Sequence, residues 1–189
     1  DRSSAASDVY KRQDYIDAEK GVETAEDAIN GAMDIIAENI SDDADIRRRL
    51  RSLFTVAGVL QSRAADSEKE SVYTMYYEYD EPVNKIAGHR VLAVNRGENE
   101  GFLKVGIDVD RIKALNIINA NVLSDNGSAC TDTVRDAAAD AYDRLIFPSV
   151  ERETRNMITD SAVESALKVF YVNLRELLLQ PPVKGCLLY

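Results

Sequence analysis

The chain has 189 residues, 45% apolar, 30% charged and 7% aromatic, with 33 acidic side chains against 23 Lys and Arg and a net charge of −10. That length fits one ordinary domain burying roughly 70% of its unfolded surface, and the apolar fraction excludes global disorder. No apolar run approaches the ~20 residues of a membrane helix, the acid excess opposes a phosphate-coating surface, and two cysteines cannot build a disulfide framework, so the expected class is soluble, intracellular and globular.

In chain order, residues 3–13 read SSAASDVYKRQ and the chain closes on CLLY. The first string resembles a translated transposon adapter of the kind used to build sequencing libraries. Tyr10-Lys11-Arg12-Gln13 can be encoded TAT AAG AGA CAG, and the opposite strand, shifted one base, encodes Cys-Leu-Leu-Tyr, the residues at Cys186–Tyr189. Residues 1–13 and 186–189 are therefore expected to be adapter-derived, and residues 14–185 to be a piece of a longer protein. Within that piece Cys130 is the only cysteine.

Residues 24–40 place Ala25, Ala28, Ile29, Ala32, Ile35, Ile36 and Ile40 at helical spacing, with Thr24 as N-cap and Asp27 three residues on. Ser41 is read as opening a second helix in SDDADIRRRLRSLFTVAGVL. Asp42, Asp43 and Asp45 lie at its positive end, and Ile46, Leu50, Leu53, Phe54 and Ala57 form its apolar stripe. Tyr73, Tyr76 and Tyr77 share a helical face that Pro82 limits. A short helix is expected over 88–97. Residues 101–110, GFLKVGIDVD, alternate with period two and predict a strand that needs partners. A weaker helical pattern covers 111–123, and Asp125–Ser128 is turn chemistry. From Thr131 the chain reads as helical to Leu179, broken once at Pro148 and ended by Pro181 and Pro182. Val163, Leu167, Phe170, Leu174 and Leu177 recur every three or four residues, and Leu178 and Leu179 widen that face. The stripe is expected to be bundle core, where Phe170→Ala would cost about 3–5 kcal/mol.

Candidate chemistry is sparse. The single histidine, His89, excludes multi-histidine metal sites and reads as packing a helix start beside Gly88. Cys130 has no nearby His or Cys. Asp108 and Asp110 fall on one side of the predicted strand, a solvated face before it is a metal site. RGENEG at 96–101 lacks the Lys-Ser or Lys-Thr of a phosphate loop, and Asn126-Gly127-Ser128 matches a glycosylation acceptor that means nothing without secretion. Arg47, Arg48, Arg49 and Arg51 are interleaved with acids. Their first reading is a salt-bridged solvated face; the second makes Arg47–Arg51 a face that contacts nucleic acid, through Arg47, Arg48 and Arg51, or a protein partner. No constellation carries catalysis, so no enzyme and no cofactor, metal or small-molecule substrate is expected.

Several long motifs, in order, carry a resemblance. They are KGVETAEDAINGAMDIIAENISDDADIRRRLRSLF (20–54), YTMYYEYDEPVNKI (73–86), GHRVLAVNRGENEGFLKV (88–105) and DAYDRLIFPSVERETRNMITDSAVESALKVFYVNLRELLLQPPVKG (140–185). Together they resemble the Tex family of bacterial transcription accessory proteins. The resemblance implies a cytoplasmic protein and a segment of its mainly helical N-terminal region, ending just before a ribonuclease-H-like domain of the YqgF type. Helix-hairpin-helix modules and an oligonucleotide-binding barrel, the main RNA and DNA contact, would follow, so nucleic acid would be bound by domains outside this segment, with the transcription machinery as a further partner. No nucleic-acid residue of the family has a counterpart here.

The expected fold is mainly α, an irregular multi-helix bundle with a small β element near 101–110, acting as a non-enzymatic scaffold segment. The residues expected to mark its structure are His89, Arg90, Arg96, Gly97, Glu100 and Gly101. Arg90 or Arg96 is expected to pair with a carboxylate, and the glycines to permit close backbone approach. Helix faces that dock on absent neighbours are expected to form an exposed apolar patch.

Overall fold

A computed structural model describes residues 24–66, 71–123 and 130–181. The adapter-like termini and the Asn126-Gly127-Ser128 triplet lie outside the described residues. The fold is mainly α, as the sequence predicts, and the β element expected near 101–110 is one strand of a three-stranded antiparallel sheet. The chain divides into two compact units, each built from two stretches: residues up to Leu53 with Asp110–Val150, and Phe54–Val109 with the chain from Glu151 onward.

In the first unit, helix α1 (Ala25–Asp42) starts on a capping box. The Asp27 amide donates to Thr24 Oγ1 (3.1 Å) and the Thr24 amide to the Asp27 carboxylate (2.9 Å), satisfying two donors that a helix start otherwise leaves bare. Ala37 and Ile40 are buried, whereas Ile35, expected in the stripe, is 62% exposed. Ser41 does not open the next helix. It belongs to the last turn of α1, where its hydroxyl donates to the Glu38 carbonyl, and Asp43 takes the capping role by accepting from the amides of Asp45 (2.8 Å) and Ile46 (2.9 Å). Helix α2 (Ala44–Ala57) follows and buries Ile46, Leu50 and Phe54 on one face. Helix α4 (Arg111–Val122) is capped by Asp110, which accepts from Ile112 and Lys113; Asp110 therefore ends the strand region rather than lining it.

Helix α5 (Thr131–Asp140) leads into a π-helical segment, Ala141–Ile146, and then α6 (Phe147–Leu178). The interruption expected at Pro148 takes this form. The Phe147 amide reaches back five residues to the Tyr142 carbonyl, a wide turn just upstream of a residue that lacks an N–H and crowds the carbonyl four residues before it. Ala138, Tyr142, Ile146 and Val150 are buried at four-residue intervals. Arg111 joins α4 to this segment through two bonds to Asp143 (3.0 and 2.7 Å), and Arg144 bridges Asp34 and Asp140.

In the second unit, the expected strand is β3 (Leu103–Asp108), and its partners lie within this chain. Strand β1 (Val59–Ala64) is central, pairing with β2 (Glu78–Pro82) at Leu60–Glu81 and with β3 at Leu60–Ile107. The tyrosine helix is a correction: Thr74–Tyr76 is one 3₁₀ turn and Glu78–Pro82 is strand. Tyr73 and Tyr76 are nevertheless buried, Tyr76 edge-to-face with Tyr79 at 5.2 Å. One sheet face carries Leu60, Ser62, Leu103 and Ile107 into the core, and the other turns Arg63, Glu78, Asp80, Lys104 and Asp108 outward. Helix α3 (Gly88–Asn99) buries Val91, Val94 and Gly97.

The distal half of α6 departs from the bundle-core expectation. Val163, Leu167, Phe170, Leu174, Leu177, Leu178 and Leu179 are all exposed, Phe170 by 63%. The stripe has helical spacing but is not core in this chain. It is an exposed apolar surface.

Candidate functional site

The arginine face of α2 is built from the Asp43 cap onward. Arg47 is half-buried: its Nε donates to the Ser41 carbonyl (2.5 Å) and Nη1 to the Ser149 hydroxyl (3.2 Å). It thereby satisfies a carbonyl at the end of α1, where a cation also meets the negative end of the helix dipole. Arg48 pairs with Asp45 one turn back at 2.7 Å, both exposed. Arg49 and Arg51 are exposed. Of the three residues proposed for nucleic acid, Arg47 is thus a half-buried structural tie, and Arg48 and Arg51 are exposed.

In the second unit, α3 carries four of the six signature residues, and Glu100 and Gly101 close its C-terminal end. Gly88 opens it against α6, where a Cβ at Gly88 would meet Ala162 at 3.2 Å. His89 is exposed in the first turn, on the rim of a cleft of about 530 Å³ that also includes Leu92, Val169 and Phe170. Arg90 Nη1 donates to both Glu81 oxygens (3.0 and 3.1 Å), and the Tyr79 hydroxyl donates to the same carboxylate. That hydroxyl first, then Arg90, holds Glu81 below the usual carboxylate range, while burial first and Glu81 second push the Tyr79 phenol up.

At the other end of α3, Arg96 lies in the last turn. Gly97 is buried, and a Cβ there would stand 2.6 Å from Leu103 Cδ1 and 3.1 Å from the Tyr73 ring. Gly101 adopts φ +78°, with its amide bonded to the Glu98 carbonyl and the Phe102 amide to the Gly97 carbonyl, the paired closure of a helix by a left-handed glycine. Glu100 accepts from the Tyr73 phenol; burial first and this bond second raise Tyr73.

The sequence reading missed Glu98, Glu151 and Arg155. Arg155 of α6 forms a two-oxygen pair with Glu98 of α3 and donates to the Val105 carbonyl of β3 (3.2 Å). Glu151, one turn earlier, accepts from the Ile107 amide, and burial, partly opposed by Arg155, raises its pKa. The only hint in the sequence is the four-residue spacing of Glu151 and Arg155 on one helix face. Among the described residues no group of three or more His, Cys, Asp or Glu could hold a metal, and no helix is long and apolar enough to cross a membrane. Cys130 is an exposed thiol at the start of α5.

The family model described as Tex central region-like matches residues 6–170. The chain is 44% identical over 176 residues to the uncharacterised protein YdcI of Bacillus subtilis, covering 90% of this chain and 24% of that protein. It is 30% identical to the transcriptional accessory protein Tex of Neisseria gonorrhoeae (86% of this chain, 22% of that one) and 29% identical to the human S1 RNA-binding domain-containing protein 1 (88% and 18%). The chain spans about a quarter or less of the length of these relatives. With the order of its motifs, its helical fold and a family match over most of its length, this chain belongs to the Tex central region-like family.

Proposed function

We propose that this chain is a non-enzymatic scaffold segment of a cytoplasmic transcription accessory protein that binds RNA or DNA through other parts of the polypeptide. The relatives' names, transcriptional accessory protein and S1 RNA-binding domain-containing protein, support the setting. The observation that carries the scaffold role is how the guanidinium groups are used. Arg47, Arg90, Arg111, Arg144 and Arg155 each tie one element to another within a unit. A cation engaged in this way is not available to release counterions from a phosphate backbone.

Fluorescence anisotropy of labelled single-stranded RNA and duplex DNA, titrated with this chain between low and physiological salt, tests the reading. The expected result is no saturable binding. The second reading, direct contact through the α2 face, rests on the exposure of Arg48 and Arg51. It wins if binding is detected, weakens steeply with salt, and is lost in Arg48→Glu/Arg51→Glu.

A further inference from the structure

The two edges of the sheet differ. At the ends of the β1–β2 pairing the Ala64 amide donates to the Tyr77 carbonyl (3.0 Å) and the Val83 amide to the Gly58 carbonyl (2.9 Å). With the register Ser62–Tyr79 and Leu60–Glu81, the odd-numbered residues of β2 bond to β1, and the backbones of Glu78, Asp80 and Pro82 face away. The same logic applies to β3. The Ala65 amide donates to the Phe102 carbonyl, so Leu103, Val105 and Ile107 face away from β1. There the edge is closed: Arg155 binds the Val105 carbonyl and Glu151 takes the Ile107 amide, two side chains of α6 standing in for a fourth strand. On β2 the outward groups of Glu78 and Asp80 find no partner among the described residues, and both residues are exposed.

From this asymmetry we infer that the β2 edge is a docking site for an extended segment of another protein in which Lys or Arg alternates with apolar residues. Charge fixes the alternation. On the solvent face Glu78 and Asp80 form an acidic row whose inner neighbour is Arg63, set opposite Glu78 and bonded to Asp80 (2.9 Å). A cation on the outer side would complete an acid row flanked by bases, as opposite-charge cross-strand pairs favour. On the other face Tyr79, stacked edge-to-face on Tyr76, offers apolar contact to the intervening residues. A depression of about 520 Å³ beside the first residues of β2, lined by Ala64, Met75 and Tyr77 and with Met75 74% exposed, can take a flanking apolar side chain. A second copy of this chain is the wrong partner, because antiparallel β2–β2 pairing sets the acidic rows against each other.

The test is a heteronuclear NMR titration of the ¹⁵N-labelled chain with a Lys-Val-Lys-Val-Lys peptide and its Glu-for-Lys counterpart. The lysine peptide is expected to shift the amides of Glu78 and Asp80 and slow their hydrogen exchange, and the glutamate peptide to do neither. Glu78→Lys should weaken the lysine peptide about two- to fivefold and improve the glutamate peptide. Asp80→Pro removes an outward donor and the Arg63 ion pair without touching a β1–β2 backbone bond, and should abolish binding with the circular dichroism spectrum unchanged; if that variant does not fold, the Glu78→Lys charge swap decides. Equal response to both peptides, perturbation only away from β2, or no response at millimolar peptide overturns the proposal.

Discussion

Gly97 stands where α3, β3 and Tyr73 converge, and no side chain larger than hydrogen fits without moving Leu103, which is itself buried. Gly97→Ala should therefore destabilise by about 1–3 kcal/mol despite the better helix propensity of alanine, read as a lower urea midpoint with an unchanged slope. Two carboxylates give pH dependences of opposite sign. Glu81 is held below its ordinary value by Tyr79 and Arg90, so its stabilisation is present above the unfolded-chain value and is lost as pH falls through the depressed one. Glu151 is raised by burial, so its ionisation costs stability as pH rises through the raised value. Glu151→Gln is accordingly expected to raise the melting temperature at pH 7, with the gain vanishing on titration below the ordinary glutamate range. Sequence reading reaches Gly97 and Gly101 as residue types suited to close approach and to left-handed backbone. It reaches Arg90 as a pairing side chain but not its partner Glu81, nor the Glu98–Arg155 pair, because these partners are nine and 57 residues apart and meet only through the fold.

At the level of elements, apolar spacing locates α1 to α4 and the β3 alternation because each signal is local. Strand β1 escapes because it follows α2 after one glycine, and because Ser62 sits fully buried where the alternation calls for an apolar residue. The tyrosines mislead for a related reason: Tyr73, Tyr76 and Tyr77 have helical spacing, but a single 3₁₀ turn also brings positions i and i+3 together. The distal half of α6 shows the limit of pattern alone, since periodicity reports which side of a helix is apolar and not whether anything covers it. Phe170→Ala should shift stability by no more than about 0.5 kcal/mol, against about 2–5 kcal/mol for Leu50→Ala in α2; paired thermal melts separate the two.

For the molecule as a whole, each unit is assembled from two stretches far apart in sequence. Neither can be excised as one continuous piece. A peptide of residues 54–109 keeps all three strands but loses Arg155 and Glu151, leaving the outward Val105 carbonyl and Ile107 amide bare. It is expected to aggregate or to melt without cooperativity, where the complete chain gives a cooperative transition by circular dichroism.

The wide turn at Ala141–Ile146 lets the helical stretch lose a residue without turning its side-chain faces. Within α6, deleting one position swings every following side chain by about 100° around the axis. Within the π segment, a deletion instead tightens the turn to an ordinary one and leaves the flanking faces near their present directions. The proline ring at position 148 would then press on the carbonyl of the preceding turn, at a cost of roughly 3 kcal/mol. The shortened chain should recover when Pro148→Ala accompanies the deletion, which makes length and ring a coupled pair.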